Sequence, residues 1–280
     1  MSEPPRLWLH VGPAKTGSTS IQRTFRQNAD FLRGRGVEYP AVRGDAWGRS
    51  RNNHNALSRA LRGNDHAFVS AEIAALPPAP DTVLSSESLP GASPDQLSWL
   101  GDLLGRDHLL RVIYYMRDPI DHAVSSAGQA VKGGRTTYAA IVARPDPRPL
   151  FRKQITRLTR AFGTNRLDVR AFSRGAFTGG SLIADFSHAI ARPGLLDGRE
   201  IAHSTGAITM EDIPYLEARH GHRVLTDAQT AAADSSGTTP FTLPRAYLDR
   251  LRANCTDDLD WLAETHGIDF RVKPDASDAP

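Results

Sequence analysis

LHVGPAKTGSTSIQ, residues Leu9–Gln22, decides how the fold is read. The run before it, RLWLHV (Arg6–Val11), is short and apolar and stops at Gly12, as a buried strand does when it enters a loop. After Gly17 the residues Ile21, Phe25, Ala29 and Leu32 recur at helical spacing. Strand, glycine turn and helix form the setting in which backbone amides and a helix N-terminus converge on an anion. The nucleoside-triphosphate signature G-x-x-x-x-G-K-[ST] places its lysine directly after the second glycine. Here Lys15 stands two residues before Gly17, with Ser18 and Thr19 following, so a different phosphate-like group is implied.

The pattern continues outward as alternating strands and helices. GVEYP (Gly36–Pro40) predicts a short strand and HNALSRAL (His54–Leu61) a helix. TVLSS (Thr82–Ser86) predicts a buried strand, followed by Glu87 and Ser88. A helix over Ser93–Leu104 opens on Ser93 as N-cap with Pro94 behind it. LLRVIYYM (Leu109–Met116) is rich in β-branched and aromatic residues and predicts a third strand. RDPIDHAVSSAGQAV then reads as a turn and a helix. Leu150–Phe162 predicts an amphipathic helix stopped by Gly163, and NRLDVRAF (Asn165–Phe172) a fourth main strand. The expected fold is therefore α/β: a P-loop-type central parallel β-sheet flanked by helices.

Beyond Gly194 the periodicity weakens. A helix near Met210–His220, the polar stretch DAQTAAADSSGTTP and a last helix over Pro244–Thr265 predict a helical C-terminal appendage. One domain is expected over residues 1–272, its core about 6–190 and its helical part about 195–270, with 273–280 as a disordered tail.

Composition narrows the function. Apolar residues are 40% and charged residues 23%, ordinary values for a globular chain. The net charge is +3, lysine occurs only at positions 15, 132, 153 and 273, and the arginines are dispersed without a basic run. That distribution argues against nucleic acid and suits small anions. Cys255 is the single cysteine, which excludes an intrachain disulfide and a cysteine-based zinc site. MSEPPRLWLH lacks an apolar h-region and no stretch approaches 18 apolar residues, so a cytoplasmic protein without membrane insertion is expected.

A second element follows the Leu109–Met116 strand: Arg117-Asp118-Pro119-Ile120-Asp121-His122-Ala123-Val124-Ser125. With the K-T-G-S-T core of Lys15–Thr19, it makes the chain resemble the sulfotransferases that use 3′-phosphoadenosine 5′-phosphosulfate, especially bacterial and carbohydrate-type members. That family holds the 5′-phosphosulfate in a P-K-[TS]-G-[TS]-[TS] loop, and the 3′-phosphate by an arginine at a strand end and a serine eight residues on. The resemblance implies that Lys15, Thr16, Gly17, Ser18 and Thr19 bind the 5′-phosphosulfate and that Arg117 and Ser125 bind the 3′-phosphate. An extra alanine, Ala14, separates Pro13 from Lys15. The late GxxGxxK element of the cytosolic steroid- and phenol-type enzymes is missing, so adenine recognition is unassigned.

The resemblance further implies sulfuryl transfer to an acceptor hydroxyl or amine without a metal. Lys15 would neutralise charge on the leaving phosphate. Glu87, just beyond a strand at the carboxyl edge of the sheet, is the first candidate for the base that takes the acceptor proton. His54 is the competitor, because an imidazole titrates near neutrality. His10 is expected to face the core and His122 to line its helix. Two other readings stand beside this one. A P-loop kinase would need Glu87 or Asp118 as a magnesium ligand, and a non-catalytic anion-binding protein would keep the fold without the base. A sugar, a lipid-linked glycan, a peptide or a small natural product would all serve as acceptor, and the oligomeric state is open.

Overall fold

The computed structural model describes residues 3–43, 53–201, 207–222 and 237–271. The expected tail, most of DAQTAAADSSGTTP and the residues just before Asn53 lie outside them. Five strands, β1 (Arg6–Val11), β2 (Val37–Glu38), β3 (Asp81–Ser85), β4 (Leu109–Met116) and β5 (Leu167–Ala171), form one parallel sheet in the order β2-β3-β1-β4-β5. β1 is central. The chain first winds outward through β2, returns beside β1 as β3, and then crosses to β4 and β5 on the other side. In such a sheet the crevice for a ligand opens beyond the carboxyl ends where the winding reverses, which is where the loop after β1 emerges.

Both faces of the sheet are covered, which explains why β1 from Leu7 onward and all of β3 are buried rather than alternating. On one face Trp8, Val83, Ile113 and Tyr115 pack against Ile21 and Phe25 of α1 (Ser18–Gln27) and Phe186 of α9 (Leu182–Ala189). On the other lie α5 (Pro94–Gly105) and α8 (Phe151–Phe162), where the Tyr114 hydroxyl donates to Gln154 Oε1 at 2.8 Å. The Ser93 cap is a full capping box: Ser93 Oγ accepts from the Gln96 amide at 3.2 Å, and Gln96 Oε1 accepts from the Ser93 amide at 2.8 Å. Gly163 ends α8 at φ 91.

Two expected helices are each divided. The first is cut at Asn28 into α1 and α2 (Ala29–Arg33), because the Asn28 amide donates to the Thr24 carbonyl at 2.8 Å and competes with the helix ladder. The last is cut at Cys255 into α11 (Arg245–Asn254) and α12 (Thr256–His266). There the Asn254 amide leaves the helix to donate to Asp146 Oδ1 at 2.7 Å. Between β2 and β3 lie α3 (Asn55–Arg62) and α4 (His66–Ala74), the latter capped by Asp65.

The described residues divide into two compact units. The first, drawn from Met1–Arg117, Phe151–His203 and Arg271–Pro280, contains the sheet. The second, drawn from Asp118–Leu150 and Ser204–Phe270, is helical. It takes α6 (Pro119–Lys132) and α7 (Tyr138–Val142) from the middle of the chain, besides α10 (Asp212–Arg219), α11 and α12. Its core joins Ala127, Val131, Ile141, Ile213, Tyr247 and Leu251. Glu217 fixes α7 to α10 by accepting from the Tyr138 amide at 2.7 Å. Among the described residues no helix is long and apolar enough to cross a membrane.

Two buried carboxylates brace the first unit. Asp81 accepts from Arg6 Nε at 2.6 Å, Trp8 Nε1 at 2.9 Å and Arg192 Nε at 2.8 Å, which ties the start of β1 to the segment after α9. Asp185 of α9 accepts from Tyr115 at 2.5 Å, from Arg170 Nε of β5 at 2.9 Å and from the Thr178 amide at 2.9 Å. Burial alone would raise both carboxyls, but their hydrogen bonds and arginine partners outweigh it and hold them below the ordinary carboxylate range.

Candidate active site

The loop between β1 and α1 contains two left-handed residues, Lys15 at φ 75 and Gly17 at φ 74. Gly17 needs that freedom. A Cβ there would fall on Leu182 Cδ2 and 2.8 Å from Phe172 Cε2, so those side chains form a floor that only glycine clears. Lys15 has no such excuse. A long side chain at positive φ costs of order 1 kcal/mol or more, and such strain collects where a loop presents a group for function.

Thr16 is fully buried, and its hydroxyl donates to the Pro13 carbonyl at 2.8 Å, bracing the turn from within. α1 then starts at Ser18 with Gly17 as its N-cap and no side-chain cap. Its first amides therefore point out of the helix without an intrahelical acceptor, and the helix dipole adds a partial positive charge there. Ser18 is 2% exposed, yet its Oγ has no hydrogen-bond partner among the described residues. A buried hydroxyl without a partner is costly, and this one at a helix N-terminus is a candidate donor to a ligand. Thr19 is exposed at the loop mouth.

The two neighbouring strands end at the same edge. Arg117, the residue after β4, is half-buried; its Nη1 donates to the Lys15 carbonyl at 3.3 Å, and its guanidinium stands 5.8 Å from the centre of the Phe172 ring. The two separated motifs thus meet through a direct contact. Among the described residues Arg117 makes no ion pair with Asp118 or Asp121. Asp118 is instead the N-cap of α6, with its Oδ1 accepting from the amides of Ile120 at 2.8 Å and Asp121 at 3.0 Å. Ser125 lies half-buried on α6 in the second unit.

On the other side of β1, Glu87 sits half-buried in the turn directly after β3. Its carboxylate has no hydrogen bond or ion pair among the described residues. The hydroxyls on either side of it are engaged: Ser86 Oγ and Ser88 Oγ both donate to Asn55 Oδ1, at 2.7 and 2.8 Å. The turn is therefore pinned to α3 while Glu87 is left uncommitted.

His54 is placed differently from what a base requires. It is 2% exposed; its Nδ1 accepts from the Ser85 amide at 2.8 Å and its Nε2 donates to the Pro40 carbonyl at 2.8 Å. Both ring nitrogens are committed to backbone, and burial lowers the imidazole to about 4. His54 ties β3 to the end of the β2 segment as a neutral cross-brace. His10 is fully buried, as expected of a core-facing residue.

No family model matches the chain, and no curated protein matches it. Solved structures do. The chain is similar to a sulfotransferase from Alicyclobacillus acidocaldarius at 15% identity, with 96% of this chain and 98% of that one covered and a TM-score of 0.44. It is also similar to the sulfotransferase domain from the curacin biosynthetic pathway at 12% identity, with coverages of 91% and 99% and a TM-score of 0.40.

Proposed function

We propose that this protein is a sulfotransferase that moves a sulfuryl group from 3′-phosphoadenosine 5′-phosphosulfate to a hydroxyl or amine, the acceptor being a carbohydrate or glycoconjugate. The observation that carries the reading is the contact of Arg117 with the Lys15 carbonyl beside the unpartnered Ser18 hydroxyl. It gathers a strand-end arginine, a strained lysine and a helix N-terminus at one edge of the sheet. Lys15, Thr16, Gly17, Ser18 and Thr19 form the 5′-phosphosulfate loop in this reading, Thr16 by holding its shape. Arg117 supplies a charged contact to the 3′-phosphate, and Ser125 is its proposed partner.

In the reaction the acceptor oxygen or nitrogen attacks sulfur while the bond from sulfur to the bridging phosphate oxygen breaks. The Glu87 carboxylate takes the acceptor proton, and the electron pair of the broken bond stays on the 5′-phosphate of the leaving 3′-phosphoadenosine 5′-phosphate. Lys15 offsets the charge that develops on that oxygen. Position and charge do most of the work, as in phosphoryl transfer. The kinase alternative is weakened by Asp118, whose Oδ1 is engaged in capping α6.

A melting experiment tests the reading without knowledge of the acceptor. 3′-Phosphoadenosine 5′-phosphate at about a hundred times its Kd stabilises the folded state by roughly 2.7 kcal/mol. For a chain of this size the expected rise in Tm is roughly 5–10 °C. The rise should persist in excess chelator and largely vanish in Arg117→Ala. A larger, magnesium-dependent rise with ATP would overturn the reading in favour of a kinase.

A further inference from the structure

His10 is the second-last residue of β1, and its ring lies edge-on to Phe186 and Tyr115, with ring centres 5.4 and 6.0 Å away. Its Nδ1 is 2.8 Å from Ser85 Oγ, and Ser85 Oγ also accepts from Gln22 Nε2 at 3.1 Å. All three side chains are buried. Gln22 donates to that hydroxyl, and the Ser85 proton has no acceptor other than Nδ1 among the described residues, so Ser85 is assigned as the donor to Nδ1 and the His10 proton to Nε2. That Nε2–H has no hydrogen-bond partner among the described residues.

Nε2 faces the first residue of the phosphate loop. A Cβ built on Gly12 would stand 3.8 Å from His10 Nε2 and 3.4 Å from Thr16 Oγ1, with no other heavy atom beyond its chain neighbours within 4 Å. Glycine therefore leaves open the approach between the imidazole and the loop, and only polar atoms border that point. Gly12 does not have the positive φ that would otherwise explain a glycine. A buried N–H without an acceptor costs about 1–3 kcal/mol, so its setting beneath an anion loop calls for an anionic oxygen.

We propose that the Gln22–Ser85–His10 relay presents a neutral Nε2–H donor beneath the loop, and that a 5′-phosphate oxygen of the bound nucleotide accepts it past Gly12. The inference rests on the reading of the loop as a phosphosulfate site. It adds a binding residue to that site and gives Gly12, Gln22 and Ser85 their roles. Burial lowers the imidazole to about 4, so the donor is neutral at physiological pH and its proton is not lost to bulk solvent.

The test is ¹⁵N NMR of histidine-labelled full-length protein, with inorganic sulfate and 3′-phosphoadenosine 5′-phosphate as probes. The expected result is a bare Nδ1 and a protonated Nε2 for His10 in the free protein, and a downfield move of the Nε2 proton with either probe. Ser85→Ala removes the relay, and Gly12→Ala puts a methyl over the approach at ordinary contact distances and at an ordinary φ. Each should weaken nucleotide binding about ten- to a hundredfold, the range for a hydrogen bond to a charged group; the Tm of the free protein should change little in Gly12→Ala and fall in Ser85→Ala, which leaves Gln22 Nε2 and His10 Nδ1 buried without their partner. A proton on Nδ1 in the free protein overturns the proposal outright. Saturation by the nucleotide with the His10 signals unmoved overturns it too, and leaves the sulfotransferase reading intact. If sulfate moves His10 but the nucleotide does not bind, the relay stands and the sulfotransferase reading falls; if neither probe acts, both fall.

Discussion

Lys15→Ala is expected to lower turnover by about 10²–10³, the usual loss when one charge-stabilising donor is removed from a transition state. Lys15 stands at φ 75, and alanine avoids the extra backbone freedom that glycine would bring there, so the comparison removes the side chain alone. The side chain is at a loop mouth outside the core, and the Tm of the free protein should stay close to that of the parent. Glu87→Gln should reduce turnover with little change in the Kd for 3′-phosphoadenosine 5′-phosphate, because the base acts on the acceptor. The pair separates the two ends of the proposed reaction, in which Lys15 serves the leaving group and Glu87 the nucleophile. Turnover of Lys15→Ala within a few-fold of the parent would remove the loop from the mechanism. Full activity of Glu87→Gln would move the base elsewhere.

The parts of this site that could be read from sequence are the local ones. β1 is a run of apolar residues ended by glycine because a central parallel strand is buried on both faces, and that pattern survives in one dimension. The Ser93 capping box, the β4 run and the α8 stripe are equally local. What stayed hidden depends on distant partners. Asp81 gives no sign in sequence that it holds Arg6 and Arg192, separated from it by 75 and 111 positions. α4 was not anticipated because its apolar residues make no stripe: Val69, Glu72 and Ile73 are its buried positions, and a glutamate breaks the pattern. His54 stands as a competing base because an imidazole titrates near neutrality, and the sequence does not display the burial that removes that property. Its role as a neutral brace comes from the backbone of Ser85, on a strand 31 positions away. His10 is expected from sequence only to face the core, and it is the folded chain that brings it and Gln22 to the same Ser85 hydroxyl. The signal that could have found it is the pairing of a buried-face histidine with a glutamine one turn beyond the loop.

The two neutral histidines make the fold sensitive to mild acid, and the sign of the effect follows from their burial. His10 and His54 have folded-state values of about 4, each lowered by burial, against about 6.5 when unfolded. Between pH 6.5 and 4 the unfolded chain therefore binds protons that the folded chain refuses, and stability falls as the pH falls. The contribution is fully present above pH 6.5. By pH 4 each histidine has cost about 3 kcal/mol, and the two together are comparable with the whole stability of a typical domain, ~5–15 kcal/mol. His266, also lowered by burial, acts in the same direction. Below pH 4 a second loss begins, since Asp81 and Asp185 stay ionised in the fold at a pH where unfolded carboxylates are protonated. Urea titrations from pH 8 to pH 4 should show a plateau above about 7, then a decline that steepens toward two protons per molecule, ~2.7 kcal/mol per pH unit. In His54→Gln the parent slope should lose one proton, and the plateau should drop because the glutamine cannot bridge the Ser85 amide and the Pro40 carbonyl with the same reach. A stability that is flat down to pH 5, or that rises on acidification, would mean that one or both rings are solvated and charged in the folded protein, and would remove the neutral donor beneath the loop along with the brace between β3 and Pro40.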